Sequence, residues 1–275
     1  MNVSKMELVE IINERLLHQA ESLREAFAAS VLDVGVRYAY IDDLLPSDIA
    51  HQIADAFPAA DKMRLMDSFR EKKFTSKKFD QFDPILGDIT FAIQDPKIVA
   101  VVGKITGIKD QVPDSLLYAG GLSAMAKGHF LNPHIDNSHD ASRQYYRTLN
   151  LLYYVTPEWP EENGGNLQLW NRGVNRSVTI HSKFNRMILM ETNPWSWHSV
   201  NEVNAEGLRR CVSNYYFSRT SPTGNKYFNI TGFSAPPSQP FRRLFSRADA
   251  HIRQLLRRLK PSGIGKLDIY EGPPR

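Results

Sequence analysis

The sequence predicts an α+β protein with a mainly β core, preceded by helices and followed by a basic helix. Three observations support this fold class. Apolar residues recur at helical spacing in parts of the first 107 residues, short strand-like runs separated by turn residues follow from about residue 117, and helical spacing returns near the C-terminus. Many short strands punctuated in this way favour a β-sandwich or barrel over a helix-alternating parallel sheet.

Composition and charge narrow the class of protein. The 275 residues are 42% hydrophobic and 23% charged, which is ordinary for a soluble globular protein. Acidic residues within the first apolar stretch argue against a signal peptide, and no apolar run approaches the roughly 18–20 residues of a membrane span. Cys211 is the only cysteine, so no intramolecular disulfide can form, which fits a reducing compartment. We therefore expect a cytoplasmic protein; its net charge of +4 says little by itself.

The first 107 residues are predicted to form helices around one strand. The spacing of apolar residues predicts an amphipathic helix over 4–28, a second that begins at Pro46, and a third over 95–107. A strand-like run occupies 36–41. Residues 70–79 (REKKFTSKKF) are basic and poorly periodic. We interpret them as a loop, which is either simply solvated or a basic lid over an anionic substrate.

These patterns divide the chain into three parts. An N-terminal helix occupies 1–34, a central domain with the β core and its supporting helices occupies 35–235, and a C-terminal basic amphipathic helix and tail occupy 236–275. The predicted strands of the core lie at 129–136, 147–155, 166–170, 177–181, 186–191 and 209–218.

A metal site is predicted from His134 and Asp136, which occupy one strand-like run. Strand side chains alternate between faces, so these two side chains point the same way. His198 follows another strand-like run and could supply a third ligand. Two imidazoles and one carboxylate leave three positions of an octahedral metal open, which is the arrangement that iron(II) oxygenases use to bind co-substrate and oxygen.

The H-x-D motif alone is not specific, because chance produces it often. A histidine on a strand is commonly just hydrogen-bonded within the protein. His129, His139 and His181 compete as ligands, and a zinc-dependent hydrolase could use the predicted set. The hydrolase interpretation lacks a general base next to the ligands in sequence and leaves Arg209 unexplained.

A buried cation is predicted at Arg209, where another strand-like run begins. An unpaired cation deep in a barrel needs an anion, because an unpaired buried charge is very costly, and the guanidinium fork suits a carboxylate. The small side chains of Cys211 and Ser213 share its face and would leave room for a ligand. Alternatively, Arg209 or Arg210 forms a surface ion pair.

The strand-like run at 147–155 is predicted to line the same pocket. Thr148, Asn150, Leu152 and Tyr154 share one face of this run, so hydroxyl and amide groups alternate with apolar ones along the chain. A strand with this pattern could line a polar pocket. A strand half facing water would have a similar pattern.

Taken together, five segments resemble the prolyl-4-hydroxylase-like branch of the iron(II)/2-oxoglutarate-dependent oxygenase superfamily. They occur in the family's order and span 117–220, and the earlier segment YAYIDDLLPSD (38–48) is a weaker match. The five segments are GHFLNPHIDN (128–137), YRTLNLLYYVTPEW (146–159), GGNLQLW (164–170), WHSV (197–200) and GLRRCVSNYYF (207–217).

The resemblance implies a double-stranded β-helix (jelly roll, cupin-like) with the N-terminal helices packed on it. It implies that His134, Asp136 and His198 bind Fe(II). Arg209 would pair with the distal carboxylate of 2-oxoglutarate, and Tyr154 would help to hold the same carboxylate. We add Asn150 and Ser213 to the predicted co-substrate contacts, since both could line that pocket.

The implied activity is the oxidative decarboxylation of 2-oxoglutarate to succinate and CO2, coupled to hydroxylation of an unactivated C–H bond by O2. Ascorbate would be an optional supporting reductant. Asp136 favours hydroxylation, because related halogenating enzymes have a small residue there. The family often has a tyrosine about ten residues before the metal-binding histidine, where this chain has Ala124 and Met125. One co-substrate contact is therefore expected to be missing or replaced.

Four further residues are predicted to support the metal ligands or contact the substrate. These residues are Asn137, Trp195, Trp197 and Arg210, and the two tryptophans could instead pack in the core. The substrate could be a small molecule, a lipid- or sugar-linked intermediate, or a peptidyl residue, because function lives in the site rather than in the fold.

The predicted partners depend on the basic helix at 241–260. This helix could dock on its own domain or on a second copy in a homodimer, or it could lie on an anionic membrane surface. Nucleic acid is not expected, since one basic helix falls short of a groove-reading motif. The rival function is a catalytically silent β-helix protein that binds a ligand or partner.

Overall fold

The computed structural model describes residues 3–118, 120–235, 237 and 269–272. The predicted basic helix at 241–260 lies outside these residues, and so do its predicted contacts with a membrane or a second subunit. Within the described part of the chain, no helix combines the length and the apolar character needed to cross a membrane.

The described residues contain six α-helices, and their starts follow simple capping rules. Ser4 and Glu7 form a capping box at the first helix. Asp83 and Asp95 each cap a helix whose first residue is proline, which suits a position where no backbone donor is needed. The helices are α1 (Lys5–His18), α2 (Ala20–Ala29), α3 (Val31–Val34), α4 (Ser47–Asp55), α5 (Pro84–Ile93) and α6 (Pro96–Thr106).

The strands join in one curled antiparallel sheet. They are β1 (Tyr38–Ile41), β2 (Arg64–Asp67), β3 (Glu71–Ser76), β4 (Gln111–Pro113), β5 (Gly121–Met125), β6 (Phe130–Ile135), β7 (Tyr146–Tyr154), β8 (Leu167–Trp170), β9 (Ser177–Ile180), β10 (Arg186–Glu191), β11 (His198–Val200), β12 (Arg209–Ser218) and β13 (Gly232–Phe233).

The order of the strands defines a double-stranded β-helix. Strands β10, β7, β12 and β5 lie side by side in one half of the sheet, and β6, β11, β8 and β9 lie side by side in the other. From β5 to β12, consecutive strands thus alternate between the halves, except that β8 and β9 form a hairpin within one half, as in a jelly roll. Strand β3 pairs with β5 at one end and with β6 at the other, so it joins the two halves. The predicted fold class is confirmed.

The two faces of β7 show how the core is divided. Leu151 and Tyr153 are buried in one cluster with the helices, outside the barrel. Leu152 and Tyr154 point inward and belong to a second cluster that includes Leu167 of β8. The alternation predicted for this strand therefore places its polar side chains inside the barrel.

Two predictions for the N-terminal part are wrong in detail, and one helix was not predicted. The single helix over 4–28 is two helices, because Gln19 is non-helical between α1 and α2. Helix α5 was not predicted, since 8 of its 10 residues are buried and no polar stripe marks its period. The loop predicted at 70–79 contains β3, which pairs along both of its edges. Residues 71–76 are therefore barrel wall rather than a lid; pairing partners distant in sequence override weak local propensity.

Candidate active site

Three side chains that could bind a metal converge on the inner wall. His134 lies on β6, His198 begins β11, and the two residues are direct neighbours in the antiparallel register. One ligand atom from each of His134, Asp136 and His198 lies within 4.8 Å of the others. The Nε2 atoms of His134 and His198 are 3.7 and 3.6 Å from the Asp136 carboxylate. This spacing suits one ion with bonds of about 2.0–2.2 Å to nitrogen and oxygen.

Backbone carbonyl groups orient both imidazoles. The Nδ1 atom of His134 is 2.9 Å from the Asn132 oxygen, and that of His198 is 3.0 Å from the Ser196 oxygen. Because a carbonyl oxygen only accepts, each Nδ1 must carry the hydrogen and each Nε2 keeps its lone pair. Both rings are thus prepared to bind a metal through Nε2.

Asp136 is held by polar side chains from other segments. The Arg147 Nη1 is 3.1 Å from its Oδ2, and the Asn150 amide donates to the same oxygen at 2.7 Å. The Asn229 amide donates to the Asp136 backbone oxygen at 2.8 Å. The Thr192 hydroxyl donates to the Asn150 Oδ1 at 3.2 Å and orients the amide. Asn150, which was predicted to contact the co-substrate, thus holds a candidate metal ligand.

Burial and charge set the protonation of these ligands. Burial alone would raise the pKa of Asp136, but the Arg147 guanidinium and the imidazoles outweigh it, so this pKa lies below its ordinary value. Burial and the neighbouring His198 lower the pKa of His134 to about 3. At neutral pH the site therefore offers an ionised carboxylate and a neutral His134, the states that metal binding requires.

Two buried polar groups lie together at the start of β12. Arg209 is 4% exposed, yet its Nε has no hydrogen-bond partner among the described residues, and its Nη2 donates to the Met125 sulfur at 3.0 Å. The guanidinium lies 5.2 Å from the centre of the Tyr154 ring. The Tyr154 hydroxyl is also buried without a partner in the described chain. Since buried polar groups are normally hydrogen-bonded, the two groups mark a place for an anion.

A glycine pair brings the backbone close to Arg209. Gly164 and Gly165 have φ values of +75° and +72°. A Cβ on Gly165 would lie 3.1 Å from the Arg209 Cγ and 3.2 Å from its Nε. Glycine adopts a positive φ without the strain that a side chain would add, and it leaves the guanidinium in place. The GGN turn before β8 thus forms one side of the anion site.

Strand β3 completes the inner wall. Thr75 pairs with Ser123, which pairs with Cys211, so these three side chains face the interior. Glu71 and Lys73 lie on the same face of β3 and form a half-buried ion pair at 2.9 Å. Sequence analysis missed this pair, because residues 70–79 were interpreted as a loop.

Three other residues that were predicted for the site have different surroundings. Arg210 faces the outside of β12, where its Nη1 donates to the Ala54 carbonyl at 2.9 Å, so its predicted role near the metal or substrate is wrong. Asn137 donates to the His139 carbonyl and shapes the turn after β6. Ser213 lies on the inner face, with its hydroxyl 3.6 Å from the Cys211 sulfur.

The competing histidines do not join the metal ligands. Among the described residues, the one set of His, Cys, Asp and Glu side chains close enough to share an ion is His134, Asp136 and His198. His139 contacts the Ser138 hydroxyl and His181 contacts the Trp159 carbonyl.

An apolar cavity of about 480 Å³ lies beside the metal ligands. Its wall includes Ile135, which lies between His134 and Asp136 in the sequence, and Trp197, which directly precedes His198. The Phe233 ring, also in the wall, stacks on His134 with ring centres 5.1 Å apart. The volume and the apolar lining are typical of small-molecule sites. Trp195 is 38% exposed and does not line this cavity.

These residues fit both an iron ion and a carboxylate co-substrate. Two imidazoles and a carboxylate inside a jelly roll form the facial set of non-haem iron(II) oxygenases. The buried Arg209 and Tyr154 groups, which lack partners in the described chain, supply donors for an anion. Fold and site together define a metal-dependent oxygenase of the double-stranded β-helix class.

Comparison with known families agrees with this class. Residues 120–218, which include all three candidate metal ligands and Arg209, match the family model described as the 2OG-Fe(II) oxygenase superfamily. The matched segment is therefore similar to this superfamily, and the similarity agrees with the candidate metal site at His134, Asp136 and His198. No curated protein matches the chain in sequence.

Solved structures share the fold at low sequence identity. A Pseudomonas putida prolyl-4-hydroxylase has a TM-score of 0.50 and 12% identity, covering 71% of this chain and 99% of that chain. The non-haem alpha-ketoglutarate-dependent epimerase SnoN from nogalamycin biosynthesis has a TM-score of 0.50 and 13% identity, covering 74% of this chain and 88% of that chain. At these identities the likeness establishes the fold alone.

Proposed function

We propose that the protein is a hydroxylase that uses Fe(II) and 2-oxoglutarate to oxidise an unactivated C–H bond. The observation that carries this proposal is the pairing of two features on one inner wall. His134, Asp136 and His198 could hold Fe(II), and Arg209 with Tyr154 could bind the distal carboxylate of the co-substrate. When bound, Fe(II) would supply the activation of O2, coupled to conversion of 2-oxoglutarate to succinate and CO2.

The residues of the chain would mainly position the reactants. Arg147 and Asn150 hold the Asp136 carboxylate ionised and correctly turned. Arg209 and Tyr154 would hold one end of the co-substrate so that its 2-oxo acid end faces the metal ligands. Preorganised donors of this kind contribute because they need no rearrangement during the reaction.

We further propose that the substrate binds in the apolar cavity beside the ligands. Trp197 and Phe233 give its wall flat apolar surfaces, and the cavity is large enough for a small molecule or for one side chain of a peptide. The cytoplasmic location, the homodimer and the membrane contact through 241–260 stay predictions from the sequence.

Anaerobic titration of the Fe(II)-loaded protein with 2-oxoglutarate tests the proposal. A weak visible metal-to-ligand charge-transfer band should form with the wild-type protein and should be absent in His134→Ala. Arg209→Met should need about ten times more 2-oxoglutarate for the same band, because a charge-assisted hydrogen bond is lost. His51→Ala, which changes an exposed histidine on α4, is the matched control and should behave as wild type.

The alternative function predicts a different result. A folded, iron-loaded wild-type protein that gives no band and forms no succinate in air would support a catalytically silent binding protein. Succinate can be followed by proton NMR, since slow turnover of 2-oxoglutarate without substrate leaves a measurable product.

A further inference from the structure

Lys73 places another cation on the inner wall, close to Arg209. The register pairs Phe74 with Ala124 and Arg209 with Met125. Lys73 therefore lies at the level of Met125, one strand away from it and two strands away from Arg209. Because Thr75 and Ser123 face the interior, Lys73, two residues before Thr75, faces it as well.

The Lys73 side chain extends toward the end of β3 that pairs with β6. It pairs at 2.9 Å with Glu71, which lies opposite Leu131 of β6, the strand that carries His134. The exposed fractions of the Lys73 and Glu71 side chains are 26% and 18%. Two charges this far inside a barrel wall are screened less by water than a surface pair.

The register places Lys73 between the two parts of the proposed co-substrate site. Lys73 lies near Arg209, whose Nε has no partner among the described residues, and on a strand that also pairs with β6, the strand of His134. A dicarboxylate that spans those two places would pass the Lys73 ammonium.

We propose that Lys73 is a second co-substrate-binding residue, whose ammonium contacts the carboxylate of the 2-oxo acid next to the metal while Arg209 contacts the distal carboxylate. This inference rests on the proposed function. Glu71 holds the ammonium when no co-substrate is bound and competes with the co-substrate for it.

Binding to the Mn(II)-loaded protein, measured by isothermal titration calorimetry, tests the inference without turnover. The two probes are 2-oxoglutarate and 2-oxopentanoate, which lacks the distal carboxylate. Lys73→Met should weaken both by about tenfold, because each loses a charge-assisted hydrogen bond. Arg209→Met should weaken only 2-oxoglutarate.

Neighbouring residues provide controls. Lys72→Met removes a lysine that pairs with Asp67 in a more exposed ion pair on the other face of β3, so both affinities should stay at wild-type values. Lys73→Arg should recover part of the affinity lost in Lys73→Met. Glu71→Gln should tighten both probes about two- to threefold, because a competitor for the ammonium is removed.

The outcomes separate this inference from the proposed function. If the wild-type protein binds neither probe in the presence of Mn(II), the proposed function and this inference are both overturned. If wild type binds and folded Lys73→Met binds equally well, only the role of Lys73 is overturned. A loss of affinity in Glu71→Gln as large as that in Lys73→Met would also overturn it, since the ion pair would then act only as a structural contact.

Discussion

Arg147 and Asp136 form an ion pair inside the barrel, with 3.1 Å between the guanidinium Nη1 and the carboxylate Oδ2. Arg147 is 1% exposed, and its Nε and Nη2 have no hydrogen-bond partner among the described residues. The guanidinium lies 4.2 Å from the centre of the Tyr215 ring, a cation–π contact. The ion pair therefore carries most of the stabilisation of this buried cation, and it keeps a candidate metal ligand ionised and oriented.

Replacing Arg147 with Met should weaken metal binding by about 10–100-fold, the usual effect of removing a group that orients a ligand. It should also lower the free energy of unfolding of the metal-free protein by about 3–5 kcal/mol, because the Asp136 charge is left buried without its partner. Calorimetry with Mn(II) and urea unfolding measure the two quantities.

Two variants control this prediction. Arg172→Met removes an exposed arginine whose side chain lies over the Trp195 ring, and it should change neither quantity by much. Arg147→Lys keeps the charge but loses the planar guanidinium with its several donors. Its metal affinity and its free energy of unfolding should lie between those of wild type and Arg147→Met. Wild-type metal affinity in a folded Arg147→Met protein would show that Asp136 does not depend on this ion pair.

The pKa of His134 makes the stability of the metal-free protein depend on pH. In the unfolded chain this imidazole takes a proton near its ordinary pKa of about 6.5, whereas the folded protein resists protonation until about pH 3. The unfolded state therefore binds more protons in this window, and the free energy of unfolding should fall by a few kcal/mol as the pH drops. Asp136, whose pKa is lowered, adds to the loss only below about pH 4, near the ordinary value of a carboxyl group.

Urea unfolding of the metal-free protein at several values between pH 7 and pH 4 checks this expectation. His134→Gln removes the titrating group, so its stability should change less over the same range. A wild-type protein and a His134→Gln variant with parallel pH profiles would mean that His134 does not set this dependence.

The fold and the convergence of the candidate metal ligands could be predicted because they depend on local rules. Alternation along a strand brings His134 and Asp136 to one face, and turn residues between short apolar runs predict the barrel. The same alternation separates Arg209, inside β12, from Arg210, outside it. Where the strand pattern is regular, the sequence carries enough information to place these side chains.

Arg147 could not be predicted, because a β-bulge reverses the direction of its side chain. By alternation it should share the outer face with Leu149. The register instead pairs Tyr216 with Leu149 and Phe217 with Arg147, so Thr148 is an extra residue in β7. A bulge of this kind re-aims the residue beside it, and Arg147 turns inward toward Asp136. The pairing that creates the bulge involves β12, more than 60 residues later in the chain, and no local pattern reports it.

Gly165→Ala should weaken 2-oxoglutarate binding about tenfold and leave metal affinity unchanged. The added Cβ would press on the Arg209 side chain, and the positive φ would strain any residue other than glycine, so the guanidinium would lose its position against the co-substrate. Calorimetry of the Mn(II)-loaded variant with 2-oxoglutarate, after a separate Mn(II) titration, measures both affinities.

Gly103→Ala is the matched control for this glycine. Gly103 lies within α6, where an added Cβ meets its nearest atoms at an ordinary 3.5 Å. Alanine should stabilise this helix and leave both affinities at their wild-type values. Equal 2-oxoglutarate binding by Gly165→Ala and Gly103→Ala would show that the close approach at Gly165 does not position Arg209.

Tyr153 and Tyr154, neighbours on β7 that face opposite sides of the wall, should respond in opposite ways to replacement by Phe. Tyr154→Phe removes a buried hydroxyl without a partner in the described chain, so stability should stay equal or rise, while 2-oxoglutarate binding weakens by about five- to tenfold. Tyr153→Phe removes a hydroxyl that donates to the Asn185 Oδ1 at 2.9 Å. It should cost about 1 kcal/mol of unfolding free energy and leave 2-oxoglutarate binding unchanged. Urea unfolding and calorimetry of both variants would reveal the contrast, and a loss of binding shared by both would assign it to general disturbance of the strand.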